Sequence, residues 1–128
     1  MNDQFVAPAR ALVGCRFRPQ GRSPELGLDC IGLACAVYGI PAEMVPRDYR
    51  LRGDFRDRIE RELAARFRRV WALRPGDLLL LSVAVDQLHL AVRTDLGFVH
   101  ADAGLRKVVE TPGSPPWPVI SAYRILEK

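Results

Sequence analysis

Apolar positions in the first half of the chain recur at steps of three and four, whereas in the second half they alternate or run together. Helices are therefore predicted first and strands second. From Asp3 to Val13 a helix is expected, with Phe5, Ala9, Leu12 and Val13 on one face; Pro8 argues against extending it backwards and Gly14 ends it. Cys15 to Leu28 carries Pro19, Gly21, Pro24 and Gly27, a composition of turns, and is expected to be a loop. A second helix begins at Cys30: Asp29 has the side chain of an N-cap, Leu33, Ala34 and Val37 follow at helical spacing, and Gly39 and Pro41 stop it. Ile40 to Gly53 shows no sustained period and is expected to be irregular. Asp54 to Trp71 predicts the longest helix, with Phe55, Ile59, Leu63, Phe67, Val70 and Trp71 forming a core stripe.

Beyond the turn Arg74-Pro75-Gly76-Asp77, Leu78 to Leu81 with Val83 is a continuous apolar run, suited to a strand covered on both faces. Leu88, Leu90 and Val92 alternate with His89, Ala91 and Arg93, a strand with two unlike faces. Further strands are predicted at Phe98–Ala101, Lys107–Glu110 and Val119–Ile125. Helices followed by an antiparallel meander make an α+β fold.

Composition narrows the classes. The chain of 128 residues, 48% hydrophobic, suits a single domain spanning 1–128. Three cysteines, Cys15, Cys30 and Cys35, are an odd number without metal-type spacing, so reduced thiols are expected and no disulfide framework. Met1-Asn2-Asp3-Gln4 carries no leader, and no stretch has the length of a membrane span, so synthesis in the cytoplasm without a membrane partner is expected. A net charge of +4 is compatible with any anionic polymer and specifies none. Arg56, Arg58, Arg61, Arg66, Arg68 and Arg69 are interleaved with Asp57, Glu60 and Glu62, as helical ion pairs on a solvated face would be, and no nucleic-acid partner is expected.

The candidate chemistry begins at Cys30. A cysteine in the first turn of a helix meets unpaired backbone N–H groups and the positive end of the macrodipole, which favour thiolate. Both histidines, His89 and His100, lie on strands joined by a short turn. A two- or four-residue connection sets His89 opposite His100 or opposite Asp102, and in either register the imidazoles share a face. Attack of a cysteine on an amide needs a base and a group that orients it. We assign Cys30 as nucleophile, His89 as base and His100 as orienter. Two histidines and one cysteine could hold zinc only with a further ligand or water, so no metal and no cofactor are expected.

Four blocks, Gly27-Leu28-Asp29-Cys30-Ile31-Gly32-Leu33, Arg74-Pro75-Gly76-Asp77-Leu78-Leu79, Leu88-His89-Leu90-Ala91-Val92 and Gly97-Phe98-Val99-His100-Ala101, resemble in order the signature of NlpC-type bacterial cell-wall cysteine peptidases, from about Ala11 to Glu110. The resemblance implies a papain-like fold with the cysteine helix packed on the sheet. It also implies cleavage of a γ-D-glutamyl amide bond in a peptidoglycan stem peptide by Cys30, His89 and His100, with Asp29 holding the substrate's amino end. Two positions depart from the pattern. Phe17 stands where a tyrosine is common and Ile31 where a serine is often found, so both are candidate substrate-contacting residues. The compact form, with Gln20-Gly21-Arg22-Ser23-Pro24 before the motif, looks most like the subfamily of phage tails and gene transfer agents. That implies tail-hub partners, incorporation into a virion or phage-like particle, and action in the periplasm and cell wall. An amidase or acyltransferase using the same residues, and an interaction module with a decayed site, are the competing readings.

Overall fold

The leucine run organises the sheet. In the computed structural model, which describes residues 2–45, 56–85 and 87–126, Leu78, Leu79, Leu80 and Leu81 are each at most 1% exposed. A strand apolar on both sides can only sit inside a layered structure, and each fully buried leucine contributes roughly 1.5–3 kcal/mol relative to exposure.

The elements follow in the predicted order. A 3-10 turn, Asn2–Phe5, leads into α1 (Val6–Ala11); β1 (Arg22–Ser23) and β2 (Gly27–Leu28) precede α2 (Cys30–Tyr38); a second 3-10 turn, Ala42–Met44, comes before α3 (Arg56–Arg66). The strands are β3 (Phe67–Val70), β4 (Leu78–Ala84), β5 (Gln87–Arg93), β6 (Gly97–Asp102), β7 (Lys107–Pro112) and β8 (Val119–Ile125). They form one antiparallel sheet in the order β3-β8-β4-β5-β6-β7. One face, through Leu78, Leu80, Leu90 and Val92, packs against Leu33 and Val37 of α2 and Ile59 and Leu63 of α3. The opposite face gathers Val70, Leu79, Leu81, Ala91, Phe98 and Ala122, with Trp117 packed on it.

Several expectations are corrected. The helix at Asp54–Trp71 ends, in the structure, at Arg66; its start, with Asp54 and Phe55, lies outside the described residues. Phe67 to Val70 instead pair with Ile125 to Ala122 of β8. A four-residue ladder with aromatic and β-branched residues at its ends outweighs the helical period, because partner strands override local propensity. Trp71 accordingly leaves the core: it is 79% exposed, with the Arg69 guanidinium 5.2 Å from its ring. The interleaved charges do pair, Arg56 with Glu60 and Arg66 with Glu62, each at 3.2 Å.

The loop from Cys15 to Leu28 contains the β1–β2 ribbon and is tied down by bridges from Phe17 to Leu28 and from Arg16 to Lys107. At the N-terminus α1 stops at Ala11, so Val13 is 44% exposed, and Pro8 lies in the helix's first turn, where no backbone donor is needed.

Candidate active site

Local rules set the nucleophile. Asp29 has extended backbone (φ −95°, ψ −172°) and its Oδ1 accepts from the Gly32 N–H at 2.7 Å, so Cys30 is the first residue of α2. Gly39, at φ +68°, closes the other end, where the left-handed turn excludes most side chains. Gly32 is required for a different reason: a Cβ there would collide with the Gly21 carbonyl oxygen, so the loop lies directly on the cysteine turn. Arg22, with a side chain only 3% exposed, donates to Asp29 Oδ1 at 2.8 Å and braces the cap.

The histidines arrive by strand register. Val92 pairs with Val99 and Arg93 with Phe98, the register in which His89 would face Asp102. The ladder ends there. Arg93 exchanges hydrogen bonds toward β4, its N–H with the Asp77 carbonyl at 2.8 Å and its carbonyl with the Gly76 N–H at 2.7 Å. Alternation therefore turns the backbone of Leu90 toward β6. With β6 no longer paired at that level, the Leu90 N–H is turned toward the Cys30 thiol and favours its charged form. Cys30, on the helix-covered side, lines one cleft with the imidazoles at the level where β5 and β6 part.

The result is one cleft of about 340 Å³ lined by Cys30, His89, His100, Asp29, Asp102 and Phe17. His89 Nε2 lies 3.0 Å from His100 Nδ1, and His100 Nε2 lies 3.5 Å from Thr111 Oγ1. Trp117 stands edge-on to both rings, with centroids 6.1 and 5.8 Å away. Since Nε2 of His89 is engaged by His100, Nδ1 is the nitrogen left to serve Cys30.

Burial dominates the electrostatics. It lowers His89 to about 4, with the charge of His100 acting in the same direction and Asp102 opposing. His100 is lowered for the same reason, again against Asp102. Cys30 is pushed up to about 12 by burial and then by Asp29, against the Leu90 N–H, Arg22 and its own N–H. Against the expectation of a thiolate at the helix start, burial of a nucleophile that is 3% exposed favours the neutral thiol. The resting site is a neutral thiol beside neutral imidazoles. Limited iodoacetamide at neutral pH should therefore label the partly exposed Cys15 ahead of Cys30 and Cys35, both buried. Mass mapping that found Cys30 labelled first would mean that the thiolate forms without substrate.

Of the substrate-contacting candidates, Asp29 and Phe17 line the cleft. Ile31 does not. It is 8% exposed and faces an apolar cavity with Ala34, Cys35, Ile59 and Leu63. One residue is about 100° of helix, so when Cys30 points to the sheet gap its neighbour turns toward α3. Sequence reasoning missed Trp117 and Thr111, which no spacing connects to the motif, and gave Arg22, just ahead of the motif, no role in the site. Asp102 carried a usable signal, since it lies two residues after His100 and so on the same strand face.

No protein-family model matches the sequence, and no curated protein matches it. Solved structures of similar fold do exist, among them the crystal structure of the NlpC/p60 domain of peptidoglycan hydrolase SagA, 19% identical, with a TM-score of 0.60 over 99% of this chain and 99% of that one. This is the NlpC/p60 fold. It carries the α+β architecture expected from the order of elements and the papain-like fold that the sequence resemblance implies. Among the described residues no group of three or more His, Cys, Asp and Glu side chains is placed to hold a metal, and no helix is long and apolar enough to cross a membrane.

Proposed function

We propose that this NlpC/p60-fold chain is a cell-wall cysteine peptidase that hydrolyses a γ-D-glutamyl amide bond in peptidoglycan stem peptides. The observation that carries the reading is the His89–His100 contact at 3.0 Å in the cleft that Cys30 lines. The peptidoglycan hydrolase named for the similar fold, and the four sequence blocks, point to the substrate class. Cys30 Sγ attacks the carbonyl carbon while its proton passes to His89 Nδ1, and His100 holds the ring through Nε2. His89 returns the proton to the leaving nitrogen. The same base then activates water on the thioester. The Cys30 backbone N–H, first in α2 and without an intrahelical acceptor, stabilises the oxyanion. Carriage on a phage tail or tail-like particle, with tail-hub partners and action in the periplasm, belongs to this proposal and rests on the sequence resemblance. Digestion of purified peptidoglycan, with fragments identified by mass, tests it. New amine and γ-glutamyl carboxyl ends should appear with the wild type and not with Cys30→Ala. Absence of any fragment from both would leave the interaction-module reading in its place.

Phe17 gives a second check. Its ring lines the cleft but has no hydrogen to donate. One oxyanion donor is worth about 10²- to 10³-fold in turnover where it is fully placed. Phe17→Tyr should therefore raise kcat, by up to about a hundredfold, with little change in KM. An unchanged or lower kcat in the folded variant would show that a hydroxyl at position 17 does not reach the oxyanion.

A further inference from the structure

Resting on that reaction, a second charge requirement appears. When His89 accepts the thiol proton it becomes an imidazolium in a site whose burial already opposes charge. Its hydrogen-bond partner His100 is a neutral imidazole and supplies no counter-charge. The charged residues lining the cleft are Asp29 and Asp102. Asp29 is committed, its Oδ1 capping α2 and paired with Arg22. Asp102 is different. It follows His100 by two residues on β6, on the same face, and lines the cleft with His89 and His100. Its Oδ1 accepts from the Gly104 N–H at 2.8 Å and the Leu105 N–H at 3.2 Å, so the carboxylate is held in place by its own turn. The facing cations are Lys107, registered opposite on β7, with Arg16 and Arg106 beside it; all three are exposed. Among the described residues no ion pair within 4.0 Å joins any of them to Asp102.

We propose that Asp102 is a positioning residue for the transferred proton, its fixed carboxylate stabilising the imidazolium that forms on His89 as Cys30 attacks. The step balances within the site. The S–H bond breaks, the proton goes to His89 Nδ1, the S–C bond forms and the carbonyl electron pair moves onto oxygen. Asp102 exchanges no proton; it acts through space on a charge that exists only after transfer. The field of a carboxylate in the same cleft, partly screened by solvent, corresponds to about tenfold in rate and about one pH unit in titration.

Asp102→Asn isolates the effect, because the amide Oδ1 can still accept from Gly104 and Leu105 while the charge is gone. In this variant kcat should fall about tenfold or more with KM nearly unchanged, and the acid limb of the pH–rate profile should move about one unit lower. Asp102→Glu should restore part of both. A separate measurement needs no turnover: NMR titration of the imidazole resonances in wild type and Asp102→Asn should show His89 protonating at lower pH in the variant. If His89 titrates identically in both, the proposal is overturned whatever the substrate proves to be. If the titration shifts but peptidoglycan is untouched by the wild type, the electrostatic role stands and the assigned substrate falls. A rise in KM with kcat unchanged would make Asp102 a substrate contact and overturn the proposal.

Discussion

Replacing His89 by alanine should reduce stem-peptide turnover by about three orders of magnitude or more while the fold survives, because the variant loses the group assigned to accept the Cys30 proton. The thiol that remains is buried and held well above neutrality, so it has no other route to a thiolate. His100→Asn should cost less, since an amide can still accept the His89 Nε2–H that fixes the working tautomer. Full activity in folded His89→Ala would end the scheme. The same residue sets a pH signature. Its folded value, about 4, lies below the ordinary 6.5, so between those limits the unfolded chain binds a proton that the folded chain refuses. Stability is whole above about 6.5 and is lost as pH falls toward 4, by up to about 3 kcal/mol from this group. Urea unfolding at pH 7 and pH 4.5 should show that loss, and His89→Gln should lessen it.

Some of this was legible along the chain. Asp29 and Gly39 bracket α2 with caps that work by local geometry alone, and four consecutive leucines demand a strand with two buried faces. Parity with a two- or four-residue connection put His89 and His100 on one face, and the structure has four residues between Arg93 and its partner Phe98. Other features depend on parts that sequence does not bring together. The strand Phe67–Val70 exists because β8, more than fifty residues later, offers it a ladder. The cleft that brings Cys30 into one lining with His89 and His100 depends on where α2 docks. Burial of the thiol follows from that docking, and no rule about helix termini contains it. Ile31 was misplaced for a simpler reason: adjacency to the nucleophile in sequence is divergence from it on a helix.

Loss of the Asp77 carboxylate should be the most destabilising single change away from the cleft. Asp77 is fully buried at the end of the Arg74-Pro75-Gly76 turn. Its Oδ1 accepts from Asn2 Nδ2 at 2.7 Å and Arg124 Nε at 2.8 Å; its Oδ2 accepts from Arg124 Nη2 at 2.8 Å and the Arg74 N–H at 2.7 Å. One carboxylate thereby joins the N-terminal segment, the turn into β4 and strand β8, while the adjacent Gly76 carbonyl accepts the Tyr38 hydroxyl at 2.7 Å from the end of α2. Removing one partner of a buried ion pair costs about 3–5 kcal/mol, mostly from the charge left behind, and Arg124 is only 12% exposed. Asp77→Ala should therefore lower the unfolding free energy by that amount, read as a shift in the urea midpoint at constant slope. Asp77→Asn should lose less, because the shape and two acceptor positions remain. Pairing Asp77→Leu with Arg124→Met should recover part of the loss, since no charge is then stranded. A loss below about 1 kcal/mol in Asp77→Ala would show that water reaches Arg124 and that the four hydrogen bonds do not fix the turn. A full loss in the double variant as well would place the stability in the hydrogen-bond geometry and not in the charge. In either outcome the Tyr38 link makes the cysteine helix a sensitive reporter, because its far end rests on the same turn.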